Sequence, residues 1–322
     1  MLDADVGRLP TARVHRLSFV SLGRRMVSAQ AATSVRSFVA PDTVVGAIEQ
    51  RHRLGDTAIY LSGGTDLGVV MRRHLVTPEH LIDLSRIDEL RTLERVDGTI
   101  VIGSAVTHRT IELSGLFVGH AEALREACAT VGSVQTRNVG TLGGNLCNAS
   151  PAADTAPVLL ALGAVVEIAG PDGRRLLPID DFFVGYRRTA LAPGEILTSI
   201  RIPVPDAPRG SAFLKLGRRK AMEISIASVT VRLDLASDGT IAAAGVGLGS
   251  VAATPVRSAS AERVLTGSPP GPATWDAAAH AAVGDCSPID DVRATQEYRA
   301  AMVPVLVARA AGIAFGRARS NA

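Results

Sequence analysis

The chain has 322 residues and a mass of 33.5 kDa, enough for two ordinary domains or three small ones, each with its own core. Hydrophobic residues make up 47% and charged residues 20%, which excludes general disorder, and no apolar run approaches the roughly 20 residues that span a bilayer. A formal net charge of only +3, dispersed arginines, 3% aromatic content and no zinc-finger or RNP-type motif speak against a nucleic-acid partner.

Residues 1–34 are arginine-rich without sustained periodicity, and they are expected to form a disordered leader in which Met26 is an alternative start. The Arg24-Arg25 pair suggests twin-arginine export, but MVSAQAATSV is too polar to serve as the apolar region, so a cytoplasmic location is expected. Pro41-Asp42-Thr43 opens a helix through VVGAIEQRHRL, and Thr57 to Leu61 reads as a strand. Helical spacing of Leu67, Val70, Met71, His74 and Leu75 predicts a second helix, and His80 to Leu84 a second strand paired parallel to the first. A strand in TIVIGSAVT, helices in IELSGLF and AEALREACATVG, a hairpin turning at Asp172-Gly173 and a strand in ILTSIRIPVP follow. Beyond the loop Asp206 to Gly210, SIASVTVRLDLAS and GTIAAAGVGLGS predict a three-stranded antiparallel sheet, and three helices follow Pro255. The order of strands and then helices marks a separate C-terminal domain.

Two glycine-bearing segments carry the chemistry. In the first, Tyr60, Leu61, Ser62, Gly63, Gly64, Thr65, Asp66 and Leu67 join a strand to a helix. Glycine there permits a tight turn and close ligand approach, and the amides at the helix start can donate to a phosphate. Asp66 would repel a diphosphate, so it is expected to cap the helix or bond a sugar hydroxyl. The plainer alternative is an ordinary glycine turn. The second segment, VGSVQTRNVGTLGGNLCNASPAAD, reads as a loop dense in free amides, suited to a diphosphate and a ribityl chain. Ser150 and Pro151 then read as N-cap and first residue of a helix, with Asp154 either complementing its dipole or contacting a ligand. Cys147 reads as a small buried hydrophobe. Cys128, Cys147 and Cys286 are too few and too dispersed for a disulfide framework or the four thiolates of an iron-sulfur cluster, which is expected on another chain.

SGGTD followed by TLGGN and PAAD resembles the FAD-binding subunits of the xanthine dehydrogenase and carbon monoxide dehydrogenase family of molybdenum hydroxylases. The likeness extends through IDLSRIDEL, FFVGYRRTALAPGEILTSIRIP, FLKLGRR and DDVRATQEYR. It implies an α+β chain: a two-subdomain FAD-binding fold of the vanillyl-alcohol-oxidase (PCMH) type over residues 35–209, dividing near 88, then a C-terminal domain of antiparallel sheet plus helices over 210–320. It also implies that Tyr60 to Leu67, with Thr141, Leu142, Gly143, Gly144 and Asn145, hold the diphosphate and ribityl region of FAD. Asp154 becomes a further flavin contact, Leu197 lies beside the isoalloxazine, and Lys215 stands near its edge. The implied partners are a 2Fe-2S small subunit and a molybdopterin large subunit in a dimer of heterotrimers, with an external acceptor such as NAD, oxygen, a quinone or a cytochrome. The N-terminal 2Fe-2S domain and cysteine-rich 4Fe-4S loop of some relatives are missing from the pattern.

Other readings are weaker. GVGLGS departs from GxGxxG and is followed by Pro255 rather than a helix. No GKS/T, HExxH or Cys-His set supports a triphosphate or metal site. A stand-alone flavin reductase or oxidase of the same fold and a flavin-free assembly subunit remain as alternatives.

Overall fold

In the computed structural model, which describes residues 35–219 and 221–322, three units follow one another along the chain. The readings made on residues 1–34 lie outside the described residues. In the first unit, β1 (Ser37–Val39) leads to α1 (Val44–Leu54), whose N-cap Thr43 accepts a bond from the Gly46 amide at 3.0 Å. After β2 (Ala58–Leu61), α2 (Leu67–Arg72) and β3 (His80–Asp83), the strands pair all-parallel in the order β1-β3-β2. Val44 and Ala47 of α1 pack on Ala58 and Ile82. The helix expected to reach Leu75 stops at Arg72, because the chain turns through a left-handed His74 at φ 54°.

The second unit begins with β4 (Leu93–Val96) and β5 (Thr99–Gly103), then five helices: α3 (His108–Leu113), α4 (Glu122–Thr130), α5 (Val134–Val139), α6 (Leu142–Cys147) and α7 (Thr155–Ala161). It closes with β6 (Val165–Gly170), β7 (Gly173–Pro178), β8 (Phe183–Gly185), β9 (Arg188–Thr189) and β10 (Ile196–Pro203). Here β4-β5-β10-β6-β7 form an antiparallel sheet, and β6 and β7 are the expected hairpin. The second glycine segment is not a loop. Ser133 and Thr141 cap α5 and α6 by accepting from the Thr136 and Gly144 amides, and the Leu142 and Gly143 amides donate to the Val106 and Ser104 carbonyls, so these amides are already engaged within the protein. Nor does Ser150 start the next helix: its hydroxyl accepts from Ala152, and α7 begins only at Thr155.

The third unit has four antiparallel strands where three are expected: β11 (Arg209–Leu216), β12 (Ala227–Leu235), β13 (Ile241–Gly249) and the short β14 (Val256–Arg257). Then come α8 (Ala259–Leu265), α9 (Pro272–Val283) and α10 (Gln296–Ser320). The glycines of GVGLGS are packing residues, since a Cβ on Gly245 or Gly247 would collide with the carbonyls of Ala161 or Pro157 and lift α7 off the sheet. By length and composition, α10 is apolar enough to cross a membrane. Its Val303, Val307, Ala310, Ala311, Ala314 and Ala318 are buried against the sheet. Arg317 donates to the Ser211 carbonyl at 2.6 Å and Arg299 to the Ile226 carbonyl at 2.5 Å, which fixes α10 as the core helix of this unit. Mixed helix and sheet in this order give the α+β architecture that the sequence implies.

Candidate functional site

A cleft of about 700 Å³ opens where the end of β2, helices α5 and α6, the segment before α7 and the start of β10 meet, with the loop after β11 at its rim. That size lies within the usual range for small-molecule sites. Strand β2 delivers Tyr60, whose hydroxyl donates to the Gly194 carbonyl at 2.9 Å; burial, partly offset by Arg51, pushes its phenol up to about 12. The chain then turns at Gly64, whose φ of 68° is a conformation that side chains resist. Thr65 and Asp66 are exposed at this turn. Asp66 stands at the N-cap of α2 without a side-chain capping bond, so the expected cap does not form.

The two glycine segments touch. Gly63 faces the other segment, and a Cβ there would collide with the Val139 carbonyl. The Ser62 and Thr141 hydroxyls meet at 3.2 Å. Gly143 faces protein as well: its amide donates to the Ser104 carbonyl at 2.9 Å, and a Cβ would come within 2.5 Å of the Ser104 Cβ. Gly144, by contrast, is exposed on the cleft wall. Asn145 is oriented by the Thr155 hydroxyl, which donates to its Oδ1 at 2.7 Å.

Asp154 is the charged centre of the floor. Its carboxylate accepts from Lys215 Nζ at 2.6 Å, the Ser225 hydroxyl at 2.8 Å and the Thr130 hydroxyl at 3.3 Å. Burial pushes its carboxyl up, against the pull of those three donors. Leu197 enters the wall from β10 at a register shift against β6 between Leu197 and Ser199, a bulge that re-aims the strand. Cys147, expected to be buried, is exposed on the wall.

Of the sequence-predicted residues, all of Tyr60 to Leu67 line the cleft, with Thr141, Gly143, Gly144, Asn145, Asp154 and Leu197. Leu142 is fully buried in the core of the second unit, and Lys215 lies behind Asp154 rather than on the wall. Sequence reading missed Ser104, just after β5, and His108, which the Thr107 cap signal in VTHRT places at a helix start; it also missed Arg187 on the wall and the buried Ser225 behind Asp154. Arg187 donates to Asn148 Oδ1 at 3.0 Å across the cleft mouth.

The donor set fits FAD. One stretch offers the Gly64 turn, exposed Gly144 and the Ser62, Thr65 and Thr141 hydroxyls, which suit a diphosphate and sugar hydroxyls. The other offers Leu84, Leu191, Ile196, Leu197 and Ile224, an apolar bed for a planar ring system. Of the carboxylates at the wall, Asp154 and Glu195 are held by Lys215 and Arg175.

Residues 31–205 match the family model of the FAD-binding domain in molybdopterin dehydrogenases, and residues 212–314 match the CO dehydrogenase flavoprotein C-terminal domain. The chain belongs to the FAD-binding subunits of the molybdenum hydroxylases. It is 35% identical over 280 residues to the carbon monoxide dehydrogenase medium chain of Afipia carboxidovorans, covering 87% of this chain and 96% of that one. The xanthine dehydrogenase FAD-binding subunit of Escherichia coli O157:H7 is 32% identical over 248 residues, 76% of this chain and 85% of the relative. A solved carbon monoxide dehydrogenase chain from Hydrogenophaga pseudoflava superposes with a TM-score of 0.83 at 34% identity, covering 87% of this chain and 97% of that chain. The flavoprotein of this family is an oxidoreductase subunit whose cofactor is FAD.

Proposed function

We propose that this subunit is an electron relay: it takes electrons singly from a 2Fe-2S small subunit, which a molybdopterin large subunit has charged by oxidising substrate, and passes them in pairs to an external acceptor. The cleft carries this reading, because it offers hydroxyls, exposed backbone and an apolar bed, and among the described residues the one thiol beside a lining imidazole, Cys128 next to His108, is fully buried behind the wall. The cysteine count adds to it, since three dispersed thiols cannot ligate a cluster, and among the described residues no group of three or more metal-ligating side chains comes together. The relatives' names point the same way: "medium chain" and "FAD-binding subunit" are parts of larger assemblies. A dimer of heterotrimers in the cytoplasm is the assembly proposed here.

Bound FAD supplies the one-electron and two-electron chemistry that joins single-electron donors to a two-electron acceptor. This chain's residues bind and orient it. Tyr60 to Leu67 and Thr141 to Asn145 take the diphosphate and ribityl region. Leu197 packs beside the ring system, while Asp154, steadied by Lys215, offers a polar contact at the floor. The rim residues Met222 and Ile224 and the Arg187–Asn148 contact narrow the mouth and limit water.

The test uses the purified full-length chain with its flavin. Acid precipitation should release one FAD per chain. Reduced with dithionite, the flavin should be reoxidised by an acceptor, while carbon monoxide, aldehydes and N-heterocycles leave the oxidised form unchanged until the iron-sulfur and molybdenum subunits are added. Oxidation of an organic substrate by the lone chain would replace the relay with a stand-alone flavoenzyme.

A further inference from the structure

Between the two glycine segments lies a titratable side chain that the reading above does not use. His108 opens α3 and is only 2% exposed, yet it is part of the cleft lining. Its amide donates to the Gly140 carbonyl at 3.0 Å, which ties it to the second segment. On one side of the ring, Nδ1 lies 3.5 Å from the Cys128 sulfur in the core. Across the ring, the Cδ2 edge is turned toward Gly140: a Cβ built on Gly140 would stand 3.5 Å from His108 Cδ2 and 3.4 Å from the Thr65 hydroxyl. Among the described residues, Nε2 has no hydrogen-bond partner within the chain.

The surroundings settle the ring's charge. Burial first, and then the nearby Arg137 guanidinium from α5, push His108 down to about 4, so the ring is neutral at physiological pH. Glu112, one turn along α3, does not reverse this, because it is engaged by Arg137 at 2.9 Å and Arg109 at 2.9 Å. On the core side, burial pushes the Cys128 thiol well above its ordinary value, with Glu112 and Asp154 acting in the same direction. A protonated thiol can donate to Nδ1, and a neutral imidazole that accepts at Nδ1 carries its proton on Nε2.

We propose that His108 is a further cofactor-binding residue, locked by Cys128 in the Nε2–H tautomer and donating one hydrogen bond from the cleft floor to the FAD diphosphate. The proposal rests on the assignment of this cleft to FAD. It commits to the diphosphate because the Gly140 backbone and the Thr65 hydroxyl of the two glycine segments stand on the far side of the ring from Cys128, and because an anion needs a donor where the other tautomer would present a lone pair. No covalent step is involved.

Two variants and one spectrum decide it. Asparagine places its amide nitrogen near the Nδ1 position, whereas glutamine reaches the Nε2 position. With full-length chain freed of flavin, His108→Asn should raise the FAD dissociation constant by about tenfold or more, as expected for losing a hydrogen bond to a charged group, and His108→Gln by less than about threefold. ADP, which shares the diphosphate, should show the same split. In the wild-type chain, nitrogen NMR of labelled histidine should show His108 protonated at Nε2 and bare at Nδ1, and this readout needs no variant. A dominant Nδ1–H form, or unchanged FAD and ADP affinity in His108→Asn, would overturn the proposal. Gly144→Val separates the two layers: if it loses FAD while His108→Asn keeps it, only the histidine contact fails, and if both keep FAD, the cleft assignment fails with it.

Discussion

The two glycine segments look alike in sequence and are built in opposite ways. The first is a true turn, in which Gly64 takes a positive φ and Thr65 and Asp66 stand exposed. The second is two short capped helices, and its buried Gly143 packs on Ser104, where a Cβ would collide. Gly64 in the first provides conformation, while Gly143 in the second provides closeness. The segments then share one face because Gly63 lets the first press on the Val139 carbonyl of the second.

The second segment also ends on an anchor that the first lacks. Asp154 joins α4, α7, β11 and the loop before β12 through Thr130, Lys215 and Ser225, so the cleft floor and the junction of the second and third units are the same atoms. Removing the carboxylate in Asp154→Ala strands a Lys215 side chain that is 10% exposed. That should cost about 3–5 kcal/mol, read as a fall in urea midpoint without change in slope. Combining it with Lys215→Met should restore most of the loss, because the penalty comes from the orphaned charge. A double variant no more stable than the single would show that the anchor works through shape instead.

Next in size is an effect of acid at the joint between the segments. His108 titrates at about 4 in the fold against 6.5 as the ordinary value, so between these limits the unfolded chain binds more protons. The stability of the neutral ring is complete above pH 6.5 and falls as pH drops toward 4, by about 3 kcal/mol over the window. Glu112, Glu167 and Glu195, all held below the ordinary carboxylate value of 4.5, add losses only at the acid end. His120, also lowered by burial and then Arg95, contributes in the same direction. Denaturation of wild type and His108→Gln at pH 7 and pH 5 isolates the His108 share. Parallel slopes in the two proteins would mean that the ring is not the group titrating.

Much of this arrangement was legible in the sequence, for reasons that differ by region. The small parallel unit follows from Thr43 as a cap and from apolar spacing, both local signals. The hairpin at Asp172-Gly173 follows from turn chemistry, with Gly173 at φ 114°. The helical nature of the second segment was hidden because glycine and asparagine disfavour helices on their own, and the caps Ser133 and Thr141 that offset this look like loop residues. The packing role of Gly245 and Gly247 left no mark in the sequence, because the helix that needs them, α7, lies far away along the chain. Asp154 was found through family likeness, but its engagement with Lys215 was not, since ion pairing across 61 positions leaves no local mark. His108 passed unnoticed for the same reason: what makes it interesting is Cys128 on another helix.

The smallest expected effect compares two adjacent glycines, and it tests the distinction between closeness and exposure directly. At Gly143 an added methyl would meet Ser104 Cβ at 2.5 Å and its carbonyl oxygen at 2.7 Å, so the backbone of α6 has to move. Overpacking of this kind costs about 1–3 kcal/mol. Gly144 is exposed, and its nearest obstacle is the Thr141 hydroxyl at 2.9 Å, the end of a side chain that can rotate. Alanine is also the better helix former there by about 1 kcal/mol, which offsets loss of the cap. Gly143→Ala should therefore melt well below wild type and Gly144→Ala within a degree or two of it, when both are measured without flavin. With FAD added a second difference should appear, because Gly144 is exposed on the wall while Gly143 is buried behind it: wild type should gain melting temperature from the ligand and Gly144→Ala should gain less. Equal gains would mean that the ligand does not approach α6 at that residue. Equal melting of the two flavin-free variants would mean that Ser104 yields to a methyl and that Gly143 is not a packing glycine.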